Sequence, residues 1–469
     1  MTEAAAGAPA QKTGISLSEW RVIILSSLGG ALEFYDFVIY SMFAAYIGAA
    51  FFPNDNALVS LMVSFGVFGA GYLARPIGGI VLGHFGDKFG RRKVFIFSIL
   101  LMSAATVGMG LLPTYAQIGI AAPALMILFR LTQGFCLGGE LPGAITYVVE
   151  TAPRRGGFAA GVIFFCVNSG VALASLLALG VETMLEPAQV ESWGWRIGFL
   201  VGGALGLISF WLRLSLEETK EFMRTAKENK PALPSADIAK TRPLAIIVGI
   251  LAIAATGGFN GYLFAMPGFL PTVTDHSSLS VIQGQNVCLA ILSFGLLFMA
   301  WVGDRVPRRY ILGVGAALLA LLGVPFFAAA ASGTVSIILL FALAGIVAST
   351  FNGVFSGIVA DIYPTRVRFS GIGMSMNLAF TIFSGLGPLA ATALVAATGS
   401  AASAGFFMVL SGVCGVLAAL ALKRFDGQNK AGLEENENDP EAQRTRAPWG
   451  DLARATGAPA PAAQTAPAE

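Results

Sequence analysis

Five ionisable side chains stand well inside long apolar stretches of this 469-residue chain: Glu33, Asp36, Arg75, Arg130 and Glu140. A charge at the centre of a bilayer costs about 2.5–3.5 kcal/mol on insertion scales, so each should face a partner or an aqueous cavity. Glu33 and Asp36 are spaced i and i+3, on adjoining parts of one helix face. Two carboxylates sharing a low-dielectric cavity resist simultaneous ionisation, so one is expected to hold a proton near neutral pH. That chemistry suits proton coupling, with Asp36 favoured over Glu33. The competing reading pairs one or both with an arginine as structural glue. The two histidines compete poorly, because His84 and His276 fall in loops.

Arg75 and Arg130 are the natural partners for acids or for an anionic ligand, since a guanidinium grips a carboxylate with two parallel hydrogen bonds. Arg75 either binds ligand or pairs with Glu33, Asp36 or Glu140; Arg130 either binds ligand, pairs or snorkels. Glu140 is a second proton site or a partner for Arg75. All five charges lie in the first half of the chain. The second half offers neutral groups instead: Asn260, Gln285, Asn286, Asn352 and Asn377. Thr256 and Asn260 share a helix face at i and i+4, as do Asn352 and Ser356, to line a cavity or to bond helix to helix. Tyr35, Phe259 and Tyr262 are aromatic candidates for the border of a ligand. The expected division puts ionic and proton-handling groups in the first half and neutral ligand contacts in the second.

The elements that must position these residues are spanning helices. With 55% hydrophobic and 12% charged residues, and a bilayer core needing about 20 apolar residues per helix, the chain reads as an all-α membrane protein of twelve spans. They cover approximately residues 20–50, 58–83, 94–112, 120–148, 158–182, 196–215, 244–270, 280–303, 309–331, 335–360, 370–396 and 402–422. Even-numbered connections carry Lys88, Arg91, Arg92 and Lys93, then Arg154 and Arg155, then Arg305, Arg308 and Arg309, then Arg366 and Arg368. Odd-numbered ones, such as 51–56, 271–280 and 398–400, carry no Lys or Arg. Positive residues stay on the cytoplasmic side, so both termini are expected there.

The organisation follows: a cytoplasmic segment 1–19, a six-helix bundle 20–215, a cytoplasmic linker 216–242, a second six-helix bundle 243–424, and a polar tail 425–469. Pro231 and Pro234 suit a solvated linker. The tail, with its acidic run over 434–441, is expected to be disordered. No cleavable signal peptide is expected from the polar, Ala-rich start. The four cysteines lack metal or redox spacing.

The halves echo each other. Gly86-Asp87-Lys88-Phe89-Gly90-Arg91-Arg92 follows the second span and Gly303-Asp304-Arg305-Val306-Pro307-Arg308-Arg309 the eighth. Glu150-Thr151-Ala152-Pro153-Arg154-Arg155 ends the fourth and Asp361-Ile362-Tyr363-Pro364-Thr365-Arg366 the tenth, at nearly the same offset. Duplicated six-helix units with a site near the midplane are an expected transporter architecture.

The run Gly83-His84-Phe85-Gly86-Asp87-Lys88-Phe89-Gly90-Arg91-Arg92 resembles the signature loop of the major facilitator superfamily. Glu33-Phe34-Tyr35-Asp36-Phe37, Arg75-Pro76-Ile77-Gly78-Gly79, Arg130-Leu131-Thr132-Gln133-Gly134, Gly138-Gly139-Glu140, Trp193-Gly194-Trp195-Arg196 and Pro364-Thr365-Arg366-Val367-Arg368 resemble its metabolite–proton symporter branch. The resemblance covers about residues 20–424. It implies the major facilitator fold and proton-coupled symport of a small polar metabolite by alternating access. It also implies a cytoplasmic gate drawn from Asp87, Arg91, Glu150, Arg155, Asp304, Asp361 and Arg366. Met376 before Asn377 departs from the branch, where an aromatic is usual.

The expected site set is therefore Asp36, Glu33 and Glu140 for proton coupling, and Arg75, Arg130, Tyr35, Asn260, Asn352 and Asn377 for substrate. An organic acid such as citrate or α-ketoglutarate is the expected substrate. A proline/betaine-type osmolyte or a non-transporting receptor is the alternative. The tail lacks the heptads of osmosensing members, which weighs against the osmolyte. No phosphate-binding Gly-rich loop, metal cluster or nucleophile triad is legible, so neither an enzyme nor an ATP-driven pump is expected. The remaining expectations are no cofactor, no metal and no nucleic acid. The expected partners are the lipid bilayer, protons and a small-molecule substrate, and the unit a monomer in a bacterial inner membrane.

Overall fold

The computed structural model describes residues 17–89, 91–151, 155–214, 238, 240–364 and 367–425. The expected tail, most of the linker and the first sixteen residues lie outside the described residues. The described chain is almost entirely helical. The principal helices are α1 (Leu17–Met42), α2 (Ala44–Phe51), α3 (Ala57–Phe89), α4 (Arg91–Leu111), α5 (Ala121–Leu137), α6 (Glu140–Thr151), α7 (Gly156–Met184) and α8 (Trp195–Leu214). They continue with α9 (Pro243–Val273), α10 (Ser278–Gly303), α11 (Arg308–Ser332), α12 (Ile337–Ile362), α13 (Arg368–Ala379), α14 (Gly387–Thr398) and α15 (Gly405–Ala421).

Among the described residues, ten helices are long and apolar enough to cross a membrane, and up to eleven if the α1–α2 pair, bent by 61°, is one span. The expected third span falls on α4, whose apolar part Ile96–Leu111 is shorter than the others. Leu128, Phe294, Leu321 and Leu420 are each more than half exposed. An outer surface so apolar is unfavourable in water and matches lipid.

The duplicated sequence motifs have a packing counterpart. In the first half α1 packs on α7, α3 on α5 and α4 on α8; in the second α9 packs on α13, α10 on α12 and α11 on α15. The halves meet along α7 against α10, and along α3 against α13 and the π-helical turn Phe380–Gly385 that follows it.

Three irregularities interrupt the expected spans. The fourth breaks between α5 and α6 at Gly138–Gly139, the eleventh at the π turn, and the first bends between α1 and α2. Glycine explains the tight α3–α5 contact. A Cβ at Gly134 would run into the Gly71 carbonyl, and one at Gly138 into the Arg75 carbonyl. Small residues let two backbones approach this closely.

Prolines inside the helices create a second pattern. A helical proline removes the N–H that would bond the carbonyl four residues back. Pro76 thereby frees the Tyr72 carbonyl, which instead accepts the Thr381 hydroxyl of the other half at 2.7 Å. Pro267 likewise frees the Leu263 carbonyl, which accepts Gln285 Nε2 at 2.6 Å. Gln285 in turn accepts from Ser175 of the first half at 3.0 Å. Side chains of neighbouring helices, in the case of Thr381 from across the seam, thus satisfy backbone groups that the sequence left open.

Candidate transport site

Arg75 sits on α3 immediately before Pro76 and is 1% exposed. Its guanidinium carbon lies 5.9 Å from the ring centre of Phe34, 5.4 Å from Tyr72 and 5.6 Å from Phe380. Phe34 and Tyr72 belong to the first half and Phe380 to the second, so the cation lies on the seam. Its Nε and Nη2 have no hydrogen-bond partner. Glu33 lies within electrostatic reach of Arg75, and both Glu33 and Glu140 within reach of Cys136.

From Phe380 a run of contacts leads into the second half. Phe380 meets Phe355 at 6.3 Å between ring centres, and Phe355 adjoins Ser356 on α12. Asn352, one turn earlier, accepts from Asn260 Nδ2 at 3.0 Å. Asn260 Oδ1, Thr256 Oγ1, Ser356 Oγ and Asn377 Oδ1 are buried without a partner. Unpaired buried polar atoms call for water or a ligand. A cation with two free nitrogens can hold a carboxylate, and unpartnered polar atoms in the other half can orient the rest of a small polar molecule. Asn377 Nδ2 is already engaged: it donates to the Gly138 carbonyl at the α5–α6 break at 2.8 Å, tying the halves together.

The other sequence candidates are placed differently. Asp36 is 2% exposed and its Oδ2 accepts from Thr106 Oγ1 at 3.4 Å, while Oδ1 has no partner. A Cβ at Gly202 of α8 would collide with that carboxyl. Asp36 thus enters the α1–α4–α8 interface, whereas Glu33 lies toward Arg75, which corrects the expectation of two carboxylates closing one cavity. The i, i+3 spacing put them on adjoining faces, and neighbouring helices separate those faces. Tyr35 donates to the Gly198 carbonyl at 3.0 Å, away from Arg75. Tyr262 donates to the Ala404 carbonyl, also away from the seam.

Arg130 is fully buried inside the first half, boxed by Phe37, Tyr40 and Phe68 at 4.4, 4.6 and 5.1 Å. Its Nη1 donates to the Phe37 carbonyl and to Gln133 Oε1. Arg196, from the Trp193–Arg196 string, caps α4 by donating to the carbonyls of Gly110 and Leu112 at 2.8 and 2.7 Å.

At the end of the bundles that carries the duplicated loops, Arg308 bridges Asp304 and Asp361. Asp304 also accepts the backbone N–H of Phe158 at 3.0 Å, in the first turn of α7 in the other half. A carboxylate there satisfies an orphan amide and complements the helix dipole. Gly157 makes room for it, since a Cβ at that position would meet both Asp304 and Arg308. Arg155 is exposed and its side chain makes no capping bond to α7. The side chains of Asp87, Arg91, Glu150 and Arg366 lie outside the described residues.

Sequence reasoning passed over Arg308, Thr106, Gln133 and Thr381 as site residues. Arg308 had a signal, because it stands in the second motif where Arg91 stands in the first. Neutral Thr106 and Thr381 had none.

Comparison with known proteins decides the family. The Major Facilitator Superfamily model matches residues 26–374 and 285–460. The chain belongs to the major facilitator superfamily. A citrate-proton symporter of Klebsiella pneumoniae is 33% identical over 410 residues, covering 86% of this chain and 91% of that protein. A glycine betaine/proline/ectoine/pipecolic acid transporter of Dickeya dadantii is 30% identical over 420 residues, covering 86% and 83%. A proline/betaine transporter of Escherichia coli K12 is 30% identical over 421 residues, again covering 86% and 83%. These relatives place the chain in the metabolite–proton symporter branch. Among solved structures, the partially occluded inward-open xylose transporter XylE of E. coli superposes with a TM-score of 0.70 at 18% identity, covering 88% of this chain and 99% of that one. This member of the superfamily is a multi-pass membrane protein and a secondary transporter.

Proposed function

We propose that this transporter carries a small organic acid, a di- or tricarboxylate such as citrate or α-ketoglutarate, together with protons. It works by alternating access as a monomer of twelve spans in a bacterial inner membrane, with both termini cytoplasmic. The observation that carries the reading is the pair of free N–H groups on Arg75, buried on the seam between the halves. A carboxylate is the ligand that takes two such groups at once. The free hydroxyls of Thr256 and Ser356 would donate to its other oxygens, and Asn260 Oδ1 and Asn377 Oδ1 would accept from a hydroxyl such as that of citrate. Asp36 is the proton-coupling residue, with Glu33, within reach of Arg75, and Glu140 as supporting acids. Arg130, whose Nε and Nη2 are also without a hydrogen-bond partner but whose cation lies among rings of the first half, and Tyr35, bonded to Gly198, support the first half in this reading.

The gate follows from the same end-to-end division. Asp304, held by Arg308 and capping α7, closes the cytoplasmic end; Asp361 shares Arg308. Rocking the halves apart breaks the Asp304–Phe158 contact while leaving the pairs within the second half, which makes the contact a two-state element. Asp87, Arg91, Glu150, Arg155 and Arg366 complete the gate in this reading.

One observation favours a second reading. Aromatic rings of Phe34, Tyr72 and Phe380 surround Arg75, and aromatic faces also suit a quaternary ammonium, so a betaine-type zwitterion fits the same place. Calorimetric titration of purified protein with citrate, α-ketoglutarate, proline and betaine separates the two. The organic-acid reading predicts that a carboxylate binds and that Arg75→Ala weakens it roughly 100-fold. Binding of betaine alone would move the assignment to osmolytes.

A further inference from the structure

Asp36 and Arg130 are both buried and close in the fold, yet neutral groups stand between them. Arg130 Nη1 donates to Gln133 Oε1 at 2.7 Å. Gln133 Nε2 donates to Thr106 Oγ1 at 2.7 Å. Thr106 Oγ1 reaches Asp36 Oδ2 at 3.4 Å and the Met102 carbonyl at 3.0 Å. Arginine offers no acceptor, so the Gln133 amide must turn its oxygen to Arg130 and its nitrogen to Thr106. The amide nitrogen then occupies the Thr106 oxygen as a donor, and the hydroxyl has one proton for two acceptors. An ionised Asp36 outcompetes a neutral carbonyl for that proton, because hydrogen bonds to charged groups are roughly twice as strong. A protonated Asp36 leaves it with Met102.

We propose that Thr106 is a switch set by the charge on Asp36, and that Gln133, oriented by Arg130, is the relay that occupies its oxygen and leaves its single proton to choose between Asp36 and Met102. The proposal rests on Asp36 being the proton site of the function above. Thr106 and Gln133 act as positioning residues. Interposed between cation and acid, they keep Asp36 out of a fixed ion pair, which would hold it permanently as the anion. The ring box of Phe37, Tyr40 and Phe68 steadies Arg130 in place of a counter-anion. Thr106, Gln133 and Arg130 are each 0% exposed, so bulk water does not bypass the relay.

The surroundings of Asp36 suit such a switch. From α8 it is faced by Gly202 and Gly206, whose lack of a Cβ makes the space the carboxyl occupies. From α4 it meets Thr106, with Ser103 beside Gly206. Among the described residues its titratable neighbours are Tyr35 on its own helix, with Glu33 one turn before Asp36, and Arg130 through Gln133. The helix that orients the relay is itself tied to the other half, because α5 carries Arg130 and Gln133 and ends at the Gly138 carbonyl held by Asn377.

The test needs no substrate. Infrared difference spectra of the purified full-length protein, recorded across a pH titration, isolate the carboxyl band that Asp36→Asn removes. In Thr106→Val the midpoint of that band is expected to move by about one pH unit or more, a tenfold change in proton affinity. Thr106→Ser restores it, and Gln133→Leu moves it as well although Gln133 does not touch the carboxyl. If Thr106→Val does not fold, Thr106→Ala carries the same expectation. An unmoved midpoint in the Thr106 variants, or failure of Thr106→Ser to restore it, overturns the relay and leaves the transport reading standing. If Asp36→Asn removes no titrating band, the assignment of Asp36 fails and the relay with it.

Discussion

The hydroxyl of Thr381 occupies the carbonyl of Tyr72, at 2.7 Å across the seam between the two halves. Pro76 leaves that carbonyl without its helical donor, one turn of helix from Arg75. The residue that shapes the backbone around the candidate anchor thus also creates a docking point for the opposite half.

This makes Thr381 and Pro76 energetically coupled. Thr381→Val strands a buried carbonyl and should cost about 1–3 kcal/mol, read as a lower thermal unfolding midpoint, with Thr381→Ser close to the parent. In a Pro76→Ala background the carbonyl regains a helical donor, so the same Thr381→Val change should cost less. A double-mutant cycle in thermal unfolding checks this; equal costs in both backgrounds would remove the link.

Asp304→Asn should weaken the tie between α10 and the first turn of α7. The loss of an anion at a helix N-terminus is worth about 1 kcal/mol, enough to shift the equilibrium about fivefold toward the state open at that end. Spin-label distances between the halves at the loop-bearing end report the shift directly. Substrate binding should fall far less than transport; equal losses in both would speak against a gate.

Gly134→Ala should destabilise the first half, since the added Cβ has the Gly71 backbone in its way and overpacking costs about 1–3 kcal/mol. Gly66 and Gly180 have open space around them and lie inside helices, so alanine there should be neutral to stabilising. Fluorescence-detected size-exclusion stability of the three variants gives the comparison.

Much of the fold was legible because bilayer-length apolar runs and alternating basic loops are strong, local signals. The duplicated Asp and Arg positions pointed to a repeated unit, and α1 packs on α7 as α9 packs on α13. The interruptions were harder. Gly138–Gly139 could be seen as small residues but not as a helix break, and nothing in Phe380–Gly385 announces a π turn.

At the site, sequence identified the charges because a buried charge is costly wherever it falls. It misjudged their directions. The spacing of Glu33 and Asp36 fixes an angle about one helix axis, but which helix fills each side is a tertiary fact. Tyr35 and Arg130 share that ambiguity: Tyr35 bonds Gly198, and Arg130 bonds Phe37 and Gln133 through Nη1 alone. Thr106 and Thr381 were invisible because a hydroxyl in an apolar run most often bonds its own helix.

The central claim, proton-coupled uptake of an organic acid anchored by Arg75 and coupled through Asp36, is tested most directly in proteoliposomes loaded with a pH-sensitive dye. Citrate, α-ketoglutarate, shikimate, proline and betaine are added outside in turn. The account predicts internal acidification with a carboxylate, lost in Asp36→Asn and in Arg75→Ala. Acidification by proline or betaine alone, or carboxylate uptake without proton movement, would contradict it.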